Sequence, residues 1–193
     1  ERLVGKFSNG LETVIMVCTG SEANDIALRM GQAVTGKTGV IATDNTYHGN
    51  TSAVSVLSTR RPPIGGYPGH VRLVPAPDSL RPVGGSIEGQ SRAFAAHVAR
   101  AIAELEAAGH GFSGMMLCPA FANEGIPTVR PGFFTKAEAV IRAALERPHA
   151  ALHATHLRGE RTLRRGERAL AAAQAVEEGV RPRLALLFAH APK

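Results

Sequence analysis

Residues 17 to 25, Val-Cys-Thr-Gly-Ser-Glu-Ala-Asn-Asp, connect two differently patterned segments through a glycine turn. The segment before the turn, Glu12 to Cys18, is apolar and rich in β-branched residues, which predicts a buried parallel strand. In the segment after the turn, apolar residues recur at spacings of three and four, which predicts a helix over Ser21 to Val34. A strand that runs through a tight turn into an amphipathic helix indicates an α/β fold.

The start of this helix has the composition of an anion site. Thr19 and Glu22 are three residues apart and can form a capping box. Gly20 permits close approach of a ligand to the backbone, and the first-turn amides and the Ser21 hydroxyl can donate hydrogen bonds to an anion. A well-capped structural helix without a ligand is the alternative interpretation of the same residues.

The remaining chain alternates between apolar runs and amphipathic stretches, as expected for repeated strand–helix units. We predict strands at 39–44, 71–75 and 114–118, helices at 48–57, 91–108 and 134–144, and a long Pro- and Gly-rich loop at 59–70. Open α/β sheets bind ligands beyond the carboxyl ends of their strands. Three segments follow such ends and are expected to converge on one crevice: Thr19–Ser21, Asn45–Gly49 and Pro119–Gly125.

Three motifs resemble those of the class III aminotransferases, which are pyridoxal-phosphate enzymes of fold type I. They are Thr-Gly-Ser-Glu-Ala-Asn-Asp-Ile-Ala-Leu-Arg at 19–29, Tyr-His-Gly-Asn-Thr at 47–51, and the strand, glycine loop and Pro-Gly-Phe-Phe helix start within 115–134. The resemblance covers roughly residues 1–144. It implies an α/β fold in which this segment is part of the large domain, a mostly parallel sheet flanked by helices, in truncated form.

The resemblance also implies a cofactor, a set of site residues and partners. The cofactor is pyridoxal 5'-phosphate, with Gly20 and Ser21 at its phosphate, Tyr47 stacked on its ring, and His48 and Gly49 beside the ring. The substrates are a small-molecule amino donor and an oxo acceptor, and the family's enzymes are homodimers. Many members have Glu where this chain has Cys118, and a different loop at 121–125. These departures favour the alanine-glyoxylate and ethanolamine-phosphate-lyase-like branch.

The family's catalytic lysine and its ring-nitrogen aspartate have no counterparts in this chain. Its aspartates are Asp25, Asp44 and Asp78, and its lysines are Lys6, Lys37, Lys136 and Lys193, none of them at the family's positions. We therefore assign no catalytic residue and expect the chain to be inactive as written. Because it starts with Glu1 and the family is more than twice as long, we expect an internal fragment. A non-catalytic module that binds phosphate or pyridoxal phosphate is the alternative.

The resemblance stops at about Leu145, and residues 145–193 form an atypical tail rich in Ala and Arg. A shifted reading frame or a misjoined gene model would produce such a composition, and a genuine substitute C-terminus is the other interpretation. His149, His153 and His156 have a spacing that could ligate zinc on a helix. No cysteine or carboxylate accompanies them at conventional spacing, so we expect no metal site.

Residues 31–38, Gly-Gln-Ala-Val-Thr-Gly-Lys-Thr, match the P-loop pattern of nucleotide hydrolases at every position. A P-loop follows a strand and precedes a helix, whereas this segment ends a predicted helix and precedes a predicted strand. We interpret Gly36 as the left-handed residue that ends the helix. A nucleotide hydrolase is therefore a distant alternative function.

Composition excludes further classes of function. The net charge is +6, but most of the basic excess lies in the tail, where stacking aromatic residues are almost absent, so we expect no nucleic-acid binding. The chain contains no apolar run of about 18 residues, so we expect no membrane span. Cys18 and Cys118 do not make a disulfide framework, and a reduced, cytoplasmic location is the expectation.

Overall fold

Three short parallel strands form the centre of the computed structural model, which describes residues 14–146. The strands are β1 (Gly39–Thr43), β2 (Val71–Val74) and β3 (Phe112–Met116), in the order β2-β1-β3. β1 is parallel to both neighbours, with Val40 opposite Val71 and Ile41 opposite Met115. All five residues of β1 are buried, as expected for a strand that is covered on both faces.

Four helices accompany the sheet: α1 (Gly20–Thr35), α2 (Ser52–Ser55), α3 (Ile87–Ala107) and α4 (Thr135–Leu145). Alternate residues of β1 enter two different apolar clusters because successive side chains of a strand point to opposite faces. Ile41 packs in a cluster with the apolar residues of α3 and α4. Val40 and Ala42 pack in a second cluster, which Leu28 of α1 contacts. The predicted α/β class, with a parallel sheet flanked by helices, is confirmed.

Phenylalanines make up much of the first cluster. Phe94 of α3 lies 5.1 Å from Phe133 and 5.8 Å from Phe134, measured between ring centroids. Phe121 stacks on Phe134 at 5.6 Å. These ring pairs join α3, the residues just before α4 and the loop after β3 into one packed unit. The position of that loop is therefore fixed by core packing.

The predicted strand at Glu12–Cys18 is wrong over its described part. Val14 to Val17 form no strand in the described part of the chain, and the side chains of Ile15 and Met16 are exposed. The amides of Cys18 and Thr19 instead donate to the Glu22 carboxylate. An apolar, β-branched run becomes a strand only where a neighbour pairs with it, and here the end of the run is used to cap α1.

Three other boundaries differ from their predictions. The helix expected at 48–57 is reduced to Ser52–Ser55, because backbone groups of residues 48–50 hydrogen-bond to Ser21, Asn24 and Ser58. α3 begins at Ile87 rather than at residue 91, since Ser86 caps it by accepting from the Gly89 amide. β3 begins and ends two residues earlier than expected. The loop at 59–70 contains no helix or strand, as predicted.

The segment that matches the P-loop pattern has the predicted structure. α1 ends at Gly36, which has φ 66° and donates its N–H to Gln32 at 2.8 Å, and β1 starts three residues later. The order is helix, turn and strand, the reverse of a P-loop. The Lys37 ammonium is buried and lies 3.1 Å from Glu106 of α3. Lys37 therefore joins α1 to α3 and is not available to a nucleotide.

No helix within residues 14–146 has the length and apolar character that crossing a membrane requires. The predicted features of the tail, including His149, His153 and His156, lie outside the described residues.

The ion pair of Lys37 gives a stability prediction. Replacing Glu106 by Gln leaves a buried ammonium without its counter-charge, so we expect the free energy of unfolding to fall by about 1–2 kcal/mol. Urea denaturation of the 193-residue chain measures this change. Glu104→Gln on the same helix is the control, because the pair of Glu104 with Arg72 is more exposed and is expected to contribute under about 1 kcal/mol. Equal losses in both variants would contradict the prediction.

Candidate functional site

The start of α1 is fixed by a reciprocal capping box, as predicted. The Glu22 amide donates to Thr19 Oγ1 at 3.1 Å, and the Thr19 amide donates to Glu22 Oε2 at 3.2 Å. The Cys18 amide donates to the same carboxylate oxygen at 2.8 Å. The Ala23 amide donates to the Thr19 carbonyl. Thr19 and Glu22 thus satisfy the amides on either side of residues 20 and 21.

Gly20 and Ser21 keep free donors at this helix start. Their backbone N–H groups have no hydrogen-bond partner among the described residues. The Ser21 hydroxyl oxygen accepts a hydrogen bond from the Asn50 amide at 3.1 Å, which leaves its own hydrogen available. Two amides and one hydroxyl are therefore free to donate to an anion where the helix dipole favours negative charge.

The loop after β1 packs directly against this helix start. A Cβ atom at Gly49 would lie 2.6 Å from Ser21 Oγ, and Gly49 has a φ of 143° that other residues rarely adopt. The side-chain amide of Asn24 donates to the His48 carbonyl at 2.7 Å. Gly49 is therefore required by close approach and by conformation, and the turn at residues 47–49 is hydrogen-bonded to α1.

Tyr47 and His48 differ in their environments. The Tyr47 side chain is 38% exposed and accessible to a ligand. His48 is buried, with its Nε2 atom 3.2 Å from Thr46 Oγ1, and its amide donates to Ser58 Oγ at 3.1 Å. Burial lowers the pKa of His48 to about 4, so its imidazole is neutral at physiological pH. The contacts of His48 hold the turn in place, and Tyr47 presents a ring at the surface.

The third predicted segment meets the carboxyl end of β1. Thr43, the last residue of β1, donates from its hydroxyl to Glu124 Oε1 at 2.8 Å. The second carboxylate oxygen, Glu124 Oε2, is buried and has no partner among the described residues. Buried polar atoms of proteins nearly always have a partner, so this oxygen is an acceptor that a ligand could use.

Backbone strain is concentrated at the same edge of the sheet. In the described part of the chain, three residues other than glycine have positive φ: Asn45 after β1, and Phe121 and Ile126 in the loop after β3. Ile126 is β-branched, for which φ 52° is unfavourable, and its side chain is 72% exposed. Such strain collects at ligand-binding sites, which supports this edge of the sheet as the functional one.

Asn24, Asn50 and Glu124 have roles in the site that no sequence pattern indicates. Asn24 and Asn50 lie within the quoted motifs, but no pattern indicates that their partners are the His48 carbonyl and Ser21 Oγ. The bond between Thr43 and Glu124 spans 81 residues. Pairings of this kind follow from tertiary packing, so spacing along the chain gave no signal for them.

Lys37, Lys136, Asp44 and Asp78 have positions or contacts that do not involve the start of α1. Lys37 lies at the amino end of β1, and the length of that strand separates it by about 20 Å from the residues that follow the carboxyl end. Lys136 is exposed in the first turn of α4. The Asp44 carboxylate accepts from the Ala76 amide at 2.7 Å. Hydrogen bonds from the Arg81 and Leu80 amides lower the pKa of Asp78. These contacts stabilise loops.

Within residues 14–146, no cluster of three or more His, Cys, Asp or Glu side chains could hold a metal ion. Cys18 and Cys118 are free thiols.

Comparison with known proteins gives a consistent assignment. Residues 1–144 match the family model described as "Aminotransferase class-III". An alanine–glyoxylate aminotransferase 2-like protein of Drosophila melanogaster is 35% identical over 79 residues, which cover 39% of this chain and 16% of that protein. The chain therefore spans a small part of this curated relative.

Two solved structures extend the comparison to the fold. A phospholyase from Arthrobacter, in complex with phosphoethanolamine, superposes with a TM-score of 0.67 at 35% identity, covering 74% of this chain and 34% of that one. The PMP-bound form of an aminotransferase from Vibrio fluvialis superposes with a TM-score of 0.55 at 22% identity, covering 66% and 30%. PMP is the amino form of pyridoxal phosphate. The expected likeness to the alanine-glyoxylate and ethanolamine-phosphate-lyase-like branch is confirmed by the names of these relatives.

The burial of His48 predicts a pH dependence of stability. Between pH 6.5, the ordinary pKa of histidine, and pH 4, the unfolded chain binds a proton that the folded chain does not. The free energy of unfolding should therefore fall as the pH decreases through this window, by about 3 kcal/mol from His48 alone. Urea denaturation across pH 4–7.5 should show a shallower slope for His48→Gln. His97→Gln in α3 is the control, and parallel slopes for wild type and His48→Gln would contradict the prediction.

Proposed function

Because the chain belongs to the class III aminotransferase family, we propose that the start of α1 and the turn at Tyr47–Gly49 hold pyridoxal phosphate by its phosphate group. The observation that carries this proposal is the set of free donors at Gly20 and Ser21, packed against a glycine that has no room for a side chain. A phosphate needs several converging donors and close backbone approach, and these residues fit both requirements.

Gly20, Ser21, Gly49 and Asn50 form the phosphate cradle, and each has a distinct task. The Gly20 and Ser21 amides and the Ser21 hydroxyl donate to the phosphate oxygens, and the dipole of the 16-residue helix α1 stabilises their negative charge. Asn50 orients the Ser21 hydroxyl by donating to its oxygen. Gly49 has no side chain, which allows the turn to pack against Ser21. These donors are in place before the ligand arrives, which reduces the entropy lost on binding.

Two further residues are proposed to contact the rest of the cofactor or its substrate. Tyr47 offers the face of its partly exposed ring for stacking, and the buried contacts of His48 fix the turn that carries it. The free oxygen of Glu124 is available to accept a hydrogen bond from an N–H or O–H group of a bound ligand. Stacking and one directed acceptor would orient a planar ring.

The activity we propose for the complete protein is transfer of an amino group from an amine or amino acid to a 2-oxo acid or aldehyde. Bound pyridoxal phosphate supplies an electrophilic carbonyl and an electron sink for this chemistry. The part described here contributes binding, orientation and electrostatics. A homodimer in the cytoplasm is the assembly and location we propose, by analogy with the family.

A phospho-lyase is the second candidate activity. The specific observation in its favour is the 35% identity to the Arthrobacter phospholyase with phosphoethanolamine, against 22% for the Vibrio fluvialis aminotransferase. Both activities start from an amine bound at the same cofactor, so the phosphate cradle serves either one.

The cradle predicts a phosphate-dependent affinity. Ser21→Ala removes one charge-assisted hydrogen bond and Gly49→Ala brings a methyl group against Ser21 Oγ, so we expect pyridoxal phosphate to bind about tenfold more weakly to either variant. Absorbance titration of the 193-residue chain measures this affinity. Ser52→Ala at the exposed start of α2 is the matched control.

Pyridoxal, which lacks the phosphate, isolates the contribution of the cradle. The wild type and Ser21→Ala should bind pyridoxal with similarly weak affinity, because this ligand has no phosphate to which Ser21 could donate. Equal affinities of the wild-type chain for pyridoxal and pyridoxal phosphate would overturn the proposed cradle.

We also expect that the chain holds the cofactor without attaching it. Lys37 is engaged with Glu106 at the far end of β1, and Lys136 lies in α4, so neither of these described lysines is presented to the cradle. Treatment of the complex with borohydride, followed by peptide mass spectrometry, should label no lysine stoichiometrically. A single labelled lysine would show that the chain carries its own attachment residue, contrary to the expected inactivity.

A further inference from the structure

Arg60 is anchored next to the proposed cofactor turn. The amides of Thr59 and Arg60 both donate to the Thr46 carbonyl, at 3.0 and 3.2 Å. The Thr46 amide in turn donates to Thr59 Oγ1 at 2.9 Å. Thr46 directly precedes Tyr47, so the backbone of Arg60 is hydrogen-bonded to the residue from which the turn begins.

The side chain of Arg60 reaches the other loop at this edge of the sheet. Its Nη1 atom donates to Asn123 Oδ1 at 2.9 Å. Asn123 precedes Glu124, whose carboxylate binds Thr43 at the carboxyl end of β1. The guanidinium of Arg60 therefore bridges the loops that follow β1 and β3, two neighbouring parallel strands at whose carboxyl ends a ligand is expected.

The charge of Arg60 is not neutralised in this arrangement. Its partner is a neutral amide, and no carboxylate of the described residues lies within ion-pair distance of it. Four other arginines between residues 14 and 146 also lack ion pairs, namely Arg29, Arg61, Arg81 and Arg92. In contrast to Arg60, none of these four has a side-chain hydrogen bond that holds its guanidinium in place. An ordered guanidinium with unused donors is suited to bidentate binding of phosphate or carboxylate.

The cofactor's phosphate is not the natural ligand of this guanidinium. That phosphate has its own donors at Gly20 and Ser21, and the described hydrogen bonds of Arg60 go to Thr46 and Asn123 rather than to α1. A second anionic group in the site would belong to the substrate.

We propose that Arg60, held by Asn123, is the anion-binding residue of the substrate part of this site and selects amines that carry a phosphate or carboxylate group. The proposal rests on the proposed function, because it takes the cofactor site to lie at the Tyr47–Gly49 turn. The substrate's acidic group binds the guanidinium, and its amine is directed toward the cofactor.

Binding measurements on the 193-residue chain test this assignment without requiring turnover. Phosphoethanolamine, observed by phosphorus NMR and by calorimetry, should bind the wild type, and Arg60→Gln should weaken its binding about tenfold. Arg61→Gln is the matched control, since it removes the same charge from the adjacent exposed residue and should change the affinity less than twofold.

Three related ligands separate the sources of the anion. Ethanolamine, which lacks the acidic group, should bind weakly and equally to both variants. 3-Aminopropanoate carries a carboxylate in place of the phosphate. The acid, phosphoethanolamine or 3-aminopropanoate, whose affinity falls more in Arg60→Gln carries the group that Arg60 prefers. Pyridoxal phosphate should bind Arg60→Gln as it binds the wild type.

Several results would overturn the proposal. These are no binding of either acid by the wild type, equal losses in Arg60→Gln and Arg61→Gln, or a loss of pyridoxal-phosphate affinity in Arg60→Gln as large as that for phosphoethanolamine. If the wild type binds phosphoethanolamine through Arg60 but does not bind pyridoxal phosphate, the proposed function fails and the anion site stands.

Two further variants separate a loss of the Arg60 geometry from a loss of folding. Arg60→Lys keeps the charge but loses the planar donor pair, and Asn123→Ala keeps Arg60 but removes its support; each should weaken phosphoethanolamine binding in chains whose circular dichroism matches the wild type. Unchanged affinity in both would show that the geometry of Arg60 is irrelevant.

Discussion

The close approach of Gly49 to Ser21 is the contact on which the arrangement of the site depends. A side chain at residue 49 would overlap Ser21 Oγ, so the loop after β1 can reach the start of α1 only through glycine. Asn24 and Asn50 then add hydrogen bonds on either side of this contact. Because these bonds use the side-chain amide of Asn24 and the backbone amide of Asn50, the backbone amides of Gly20 and Ser21 remain available to a ligand.

The sheet brings the other loop to the same place. β1 lies between β2 and β3, and in parallel pairs the carboxyl ends of neighbouring strands lie side by side. Thr43 and Glu124 connect the end of β1 to the loop after β3 through a partly buried hydrogen bond. The phenylalanine cluster beneath that loop fixes its position from the core side. A polar contact above and aromatic packing below therefore hold the loop that carries Asn123 and Glu124.

Local patterns in the sequence predicted the features that depend on neighbouring residues. The capping box at Thr19 and Glu22, the left-handed Gly36 and the inverted order around Lys37 all depend on residues within a few positions of one another, and all three are confirmed. The strand expected at Glu12–Cys18 failed because strand formation needs a partner, which composition does not specify. The helix expected at 48–57 was shortened because tertiary hydrogen bonds took its first backbone groups.

The sequence by itself determined the class of fold, the helix start with its free amides and, through the motifs at 19–29 and 47–51, the family. These features follow from periodicity, capping chemistry and local spacing, which act over short distances along the chain. The tertiary structure alone decided that His48 is buried and neutral, that Glu124 has an unpartnered oxygen, and that Arg60 bridges two loops with its charge intact. Those properties depend on which distant segments pack together, and burial and long-range hydrogen bonds are not encoded in any single stretch of residues.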